Sequence, residues 1–140
     1  MTINIDGASR GNPGPSGIGV VMIKNKLIIA KYNEFIGEKT NNQAEYAALK
    51  KALQIASIFD SEVTVLSDSK LVVYQRKNRY KVRNKQIKTI FREISDLEKQ
   101  LRAVIYRYIP RAKNRYADFL ANQAIDNALK FNNTKPIKLH

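Results

Sequence analysis

The 140 residues are 44% apolar and 26% charged, with no cysteine and no apolar run of membrane-spanning length. That composition fits one soluble globular domain long enough to bury a core, and it excludes disulfides, thiolate metal sites and a spanning helix. Twenty-five Lys and Arg against twelve Asp and Glu leave a net charge of +13, which favours a polyanionic partner because each neutralised phosphate releases condensed counterions.

Thr2 to Asp6 alternates, with Ile3 and Ile5 on one side and Asn4 and Asp6 on the other, and reads as a strand that Asp6 ends. A loop rich in glycine and proline follows, within IDGASRGNPGPSGIG. The apolar runs 17–24 and 27–36 flank Asn25-Lys26, a hairpin pattern. From Asn41 to Ile58, Ala44, Ala48, Ala52, Ile55 and Ala56 recur at helical spacing, with Thr40 or Asn41 as the N-cap. Glu62 to Ser67 is a further strand, and Ser69 to about Gln75 a short helix.

Ile87, Ile90, Phe91, Ile94, Leu97 and Leu101 form a stripe of period 3.6, hence a third helix. Val104 to Ile109 is a strand stopped by Pro110, and Arg115 to about Leu129 an alanine-rich helix. Phe91 and Phe119 read as core. The order β-β-β-α-β-α-α-β-α implies a mixed sheet with helices on its faces. Residues 1–130 are expected to form the single domain, and 131–140 a mobile tail. With no charged-then-apolar leader in the sequence, a cytoplasmic monomer without membrane or protein partners is the expectation.

Four acidic residues sit where a purely structural role is awkward. Asp6 closes the first strand, Glu45 lies early in a helix within TNNQAEYAAL, Asp68 follows the apolar run VTVLS, and Asp118 lies in RYADFLANQA. Taken singly, Asp6 or Asp68 suits a turn or helix cap, Glu45 a helix-dipole acid, and Asp118 a half-buried polar position. Strand ends and helix starts of an α/β sheet, however, face one crevice. Four carboxylates gathered there would repel one another unless a cation compensated them. Oxygen ligands without cysteine or an internal histidine suit Mg²⁺ or Mn²⁺, in the pattern of two-metal phosphoryl chemistry.

The glycine loop fits neither nucleotide-binding fingerprint. Gly14 and Gly19 have P-loop separation, but Val20 and Val21 follow where Lys and Ser/Thr are required. Gly17 and Gly19 lack the third glycine of a dinucleotide site. What remains is a tight turn at Gly11 that brings backbone N–H groups, Ser9 and Asn12 close to a ligand.

Four segments in register, IDGASRGNPGPSGIG, TNNQAEYAAL, LSDSKLVV and IPRAKNRYADFLAN, resemble ribonuclease H, type 1, over nearly the whole chain. The resemblance implies a five-stranded mixed sheet, with three antiparallel N-terminal strands followed by parallel ones and helices on both faces. It also implies two Mg²⁺ ions held by Asp6, Glu45, Asp68 and Asp118, replaceable by Mn²⁺. The expected activity is endonucleolytic hydrolysis of the RNA strand of RNA–DNA hybrids, leaving 5′-phosphate and 3′-hydroxyl ends. Asn12, Asn41 and Asn42 match positions that touch the minor groove near the 2′-OH groups, and Thr40 one that holds a DNA-strand phosphate.

Two departures from the family pattern stand out. Many members carry a histidine in the loop before the last carboxylate, whereas here the single histidine is His140. Arg111, seven residues before Asp118, is the candidate in its place; it cannot shuttle a proton but can neutralise a phosphate. The long tryptophan-bearing basic handle of some members is also absent. In its stead QRKNRYKVRNKQIK carries Arg76, Lys77, Arg79, Lys81, Arg83, Lys85 and Lys88, with Tyr74 and Tyr80 available for stacking. Lys81 and Arg83 are the expected hybrid contacts. Alternatives on the same fold are a non-catalytic nucleic-acid-binding module and a nuclease acting on other duplexes.

Overall fold

The opening alternation forms a strand, but a longer one than expected. In the computed structural model, which describes residues 1–133, β1 spans Thr2–Ser9. Gly7, Ala8 and Ser9 continue the ladder against Ile18, Gly17 and Ser16, so Asp6 lies inside the strand and does not end it. The small side chains of GASRGNPGPSG read as a loop, yet they are what allows two strands and a tight turn to run so closely together.

The partner strand β2 is Gly14–Lys24, and β3 is Leu27–Lys39. Asn25 and Lys26 join them with φ of 53° and 63°, the left-handed pair that a two-residue hairpin requires. Next come α1 (Asn41–Phe59), β4 (Glu62–Ser67), α2 (Lys70–Arg76), α3 (Lys85–Glu98) and β5 (Ala103–Tyr108). A short 3₁₀ turn, Arg111–Lys113, leads into α4 (Arg115–Asn133). Helix α4 therefore runs past the expected boundary at residue 130. The remainder of the tail, with His140, lies outside the described residues.

The five-stranded sheet has the order β3-β2-β1-β4-β5. The β1–β2 and β2–β3 pairs are antiparallel, whereas β1–β4 and β4–β5 are parallel. Ile3, Ile5, Ile18, Val20, Val63 and Val65 pack on one face against Tyr46, Leu49 and Leu53 of α1 and Ile87 and Ile94 of α3. On the other face, Ala117 and Leu120 of α4 cover Val21. Helices thus lie on both faces, as the element order requires. Among the described residues, no helix is long and apolar enough to cross a membrane.

Two readings of single residues are corrected. Phe119 is not core; it is 56% exposed and stacks on Tyr116 with ring centroids 6.3 Å apart. The inward stripe of α4 is taken by Ala117, Leu120, Ala121 and Ala124, which leaves Phe119 on the outer side. Phe91, by contrast, does pack against the core.

Arg76 does not join the basic surface. Its guanidinium is buried, paired with Glu98, bonded to Phe91 O at 3.3 Å and placed over the Phe91 ring at 4.2 Å.

Candidate active site

The site forms where the parallel pairing of the two central strands, β1 and β4, ends. Ile5 of β1 pairs with Ser67 of β4, so the next residue of β1, Asp6, lies close to Asp68, the first residue past β4. Glu45 comes from α1 above them. That helix is fixed by a capping box: the Thr40 hydroxyl accepts from Gln43 N at 3.1 Å, and the Gln43 side chain accepts from Thr40 N at 2.9 Å.

The helix can approach the strand because residue 7 is glycine. A Cβ there would lie 2.2 Å from the Ala44 carbonyl carbon and 2.3 Å from Glu45 N. At that separation Gly7 N donates to Glu45 Oε1 at 2.7 Å. A comparable contact sets α4 against β2, where a Cβ on Gly19 would meet Ala117 O at 2.1 Å. Asp118 is thereby carried to the other side of the same crevice.

Oxygen atoms of Asp6, Glu45 and Asp68 lie within 4.8 Å of one another. Asp118 is outside this tight triad but lines the same cleft, of about 420 Å³, with Ser9, Asn41, Asn42 and Arg111. Burial raises the Asp6 pKa strongly, and the charges of Glu45 and Asp68 raise it further. Burial likewise pushes Glu45 up; a proton shared with Asp6 and the bond from Gly7 N–H oppose this, while Asp68 and Asp118 add to it. Asp68 is raised by burial, against the lowering effects of its Asn114 bond and the Arg111 charge. Carboxyls this crowded cannot all ionise without a cation.

One atom tests that fit directly. Glu45 Oε2 is buried without a hydrogen-bond partner among the described residues. A buried carboxylate oxygen normally has a partner, and the cost of leaving it bare falls when a cation sits against it. Three clustered carboxylates, one of which carries the unsatisfied oxygen, suit a Mg²⁺-type ion.

Beside the carboxylates, the expected substrate residues divide into two groups. Asn41 and Asn42 are exposed at the start of α1 and line the cleft. Asn12 reaches them from the glycine loop, its Oδ1 accepting from Asn41 N at 3.1 Å. The Ser9 hydroxyl is engaged within the loop, with Lys39 O at 2.8 Å and Gly11 O as acceptors, so it first closes the turn in which Gly11 adopts a φ of 124°. Thr40 is occupied as N-cap acceptor, although a hydroxyl that accepts still carries its own O–H. Lys81 and Arg83 do not line the cleft; both are exposed in the connection between α2 and α3. Arg111 Nη2 stands 3.9 Å from Asp118 Oδ1 with its side chain 81% exposed.

Asn114 and Asn122 were not singled out for the site from sequence, and both hold it together. Asn114, 1% exposed, donates to Ile5 O at 2.8 Å, contacts Asp68 Oδ2 at 3.5 Å and accepts from Asn4 Nδ2 at 3.2 Å. It pins the Arg111 loop to β1. Asn122 Nδ2 donates to Asp118 Oδ1 at 3.0 Å. The Asp118–Asn122 spacing of one helical turn was the available sequence signal; nothing local marked Asn114, whose partners are far away in the chain.

The model of the reverse transcriptase-like family matches residues 4–124. The chain is 32% identical over 143 residues to the ribonuclease H of Coxiella burnetii, covering 89% of each. The chain belongs to the ribonuclease H family. It is also 42% identical over 131 residues to the bifunctional protein Rv2228c of Mycobacterium tuberculosis. That match takes in 91% of this chain and 36% of that protein, so the chain spans about a third of its relative's length. Among solved structures it is similar to the compost-derived LC11-RNase H1 in complex with RNA/DNA hybrid, with a TM-score of 0.88 and 42% identity over 91% of this chain and 98% of that one. The sheet order fits the ribonuclease H fold of these structures.

Proposed function

We propose that this chain is a ribonuclease H that cuts the RNA strand of RNA–DNA hybrids endonucleolytically at the Asp6–Glu45–Asp68 cleft. The observation that carries the reading is the three-carboxylate cluster in which, with the carboxyls ionised, the buried Glu45 Oε2 has no partner among the described residues, in a chain of net charge +13. A structural neighbour at 42% identity was solved with RNA/DNA hybrid bound. In this reading the chain is one catalytic unit, which α4 extends past residue 130 to Asn133, and it acts as a monomer. Absence of cysteine suits a reducing cytoplasm.

In this reading Asp6, Glu45, Asp68 and Asp118 would hold two Mg²⁺ ions, for which Mn²⁺ could substitute. When bound, the cations provide the positive charge that stabilises the leaving oxygen and lowers the pKa of the attacking water. Water attacks the phosphorus and gives up a proton to solvent, the bond to the 3′-oxygen breaks, and that oxygen takes up a proton from solvent. The products are a 3′-hydroxyl and a 5′-phosphate.

The residues of this chain set orientation. Gly7 N–H fixes Glu45, and Asn114 fixes Asp68. Asn41, Asn42 and Asn12 present amides at the cleft mouth, suited to the 2′-OH groups that distinguish RNA from DNA along the shallow minor groove. Arg111 places a fixed positive charge at the rim, opposite the departing phosphate.

The test is a substrate panel of labelled RNA–DNA hybrid, RNA duplex, DNA duplex and single strands, each with Mg²⁺, Mn²⁺ or EDTA. Cleavage of the hybrid's RNA strand, abolished by EDTA, is expected. Hybrid binding without cleavage in either metal would reassign the chain to a binding module, and preferential cutting of another duplex would reassign its substrate.

A further inference from the structure

The basic connection between α2 and α3, residues 77–84, carries Lys77, Arg79, Lys81 and Arg83, with no acidic residue between Asp68 and Glu93. Such a run repels itself, and free in solution it would sample many positions. Here it has a defined path. Arg79 N and Tyr80 N both donate to Tyr74 O, at 2.8 and 3.2 Å, and the Tyr74 and Tyr80 rings meet at 5.3 Å. Asn78 takes a φ of 61° to make the turn. These contacts fold the connection back onto the end of α2; they do not reach the helix that carries Glu45.

A buried amide adds a link to that helix, beside Val82, which packs against the core, and the Gln43–Gln86 side-chain bond between α1 and α3. Gln75, at the end of α2, is 6% exposed. Its Nε2 donates to Lys81 O at 3.1 Å, and its Oε1 accepts from the Tyr46 hydroxyl. Tyr46 is 0% exposed and follows Glu45 directly on α1. A methionine or leucine of similar size would fill the same space without needing partners at both ends. A buried polar side chain satisfied on both sides is instead a device for fixing one arrangement.

We propose that Gln75 is a positioning residue: between the Tyr46 hydroxyl and the Lys81 carbonyl, it holds the basic connection at a set place relative to the helix that carries Asn41, Asn42 and Glu45. The inference rests on the hybrid-cleaving reading for its functional consequence, but the tether itself can be tested without substrate. A hybrid lying in the cleft then meets Lys81 and Arg83 already placed for its phosphates, and the ordering cost of the grip is met on folding instead of on binding.

The experiment compares wild type, Tyr46→Phe, Gln75→Met and the double variant in the full chain, below the unfolding transition of each. In the free protein, amide hydrogen exchange in residues 79–83 should be faster in both single variants. On RNA–DNA hybrid with Mg²⁺, KM should rise about three- to tenfold, the range of one net hydrogen bond, with kcat within about twofold. Salt dependence of binding should flatten by about one unit of slope if a phosphate contact is lost. The double variant should be no worse than Gln75→Met, because Tyr46 acts through Gln75.

A purely structural role would lower Tm and leave KM where it was. Unchanged exchange in 79–83, KM unchanged in both singles, or effects that add independently would each overturn the proposal. If Gln75→Met does not fold, Tyr46→Phe, which removes one oxygen, decides it by the same readouts. A wild-type chain that neither binds nor cuts hybrid would overturn the functional reading, while the exchange data would still decide the tether.

Discussion

Gly7 and Glu45 are in contact through the backbone of one and the side chain of the other: Gly7 N donates to Glu45 Oε1 at 2.7 Å, and a Cβ on Gly7 would lie 2.3 Å from Glu45 N. The absence of one methyl group therefore sets the height of α1 above β1, and with it the position of a site carboxylate.

Gly7→Ala should push α1 away from the strand. Its neighbours there are backbone atoms, which cannot rotate aside. Overpacking of this kind costs about 1–3 kcal/mol or more, and a displacement of about 1 Å at a reacting centre costs about a hundredfold in rate. We expect a folded protein by circular dichroism, a lowered Tm, and kcat on hybrid reduced at least that far. A variant with wild-type kcat would show that the site tolerates a raised helix.

Asp6→Asn should separate catalysis from stability. The folded-state pKa of Asp6 is raised above its ordinary 3.8, by burial first and then by Glu45 and Asp68. The folded wild type thus binds more protons than the unfolded chain between about pH 4 and the raised value, and its stability falls as pH rises through that window. In EDTA, Asp6→Asn should be more stable than wild type at pH 7–8, by about 1–3 kcal/mol, and the gain should vanish near pH 4. Cleavage with Mg²⁺ should be lost. Denaturant melts at three pH values decide it; a gain that grows on acidification would reverse the assigned sign.

The sequence made the carboxylates legible because their flanks are periodic and their types are wrong for strand ends. It hid what depends on tertiary contact. Gly7 looked like loop, although it is the strand residue over which α1 passes. Asn114 looked like one polar residue among several in RAKNRY, and only the folded chain brings Ile5 O to it. Arg76 looked like the start of the basic run, yet Glu98, Ser95 and Phe91 take it into the interior. A charge run gives the same pattern whether its first member faces water or a half-buried acid.

Lys81→Ala with Arg83→Ala should raise KM on hybrid more than it lowers kcat. Both side chains are exposed and lie away from the carboxylates, so their contribution is common to ground and transition states. The slope of log affinity against log salt should fall by about one unit for each phosphate contact removed. An unchanged slope would place these two residues on a solvated face.

Arg111 is the final case, because the structure narrows its role. Its Nη2 stands 3.9 Å from Asp118 Oδ1, and the side chain is 81% exposed, so the ion pair itself adds little to stability. Arg111→Ala should leave Tm near wild type. The Arg111 charge opposes the burial that raises the Asp68 pKa, so it is felt inside the cleft. If it guides the departing phosphate, Arg111→Ala should cut single-turnover rates by about one to three orders of magnitude, the scale of one transition-state charge stabiliser. Mg²⁺ affinity should change little, since an arginine is not a ligand. Substitution separates charge from proton transfer. Arg111→Lys should recover much of the rate at every pH if only positive charge is needed. Arg111→His should recover it only below about pH 6.5, where imidazole is charged. Rescue by His above that pH, with none by Lys, would make the position a proton carrier. A rate for Arg111→Ala within about twofold of wild type at saturating hybrid would remove this loop from the chemistry and leave Asp118 to be held by Asn122 alone.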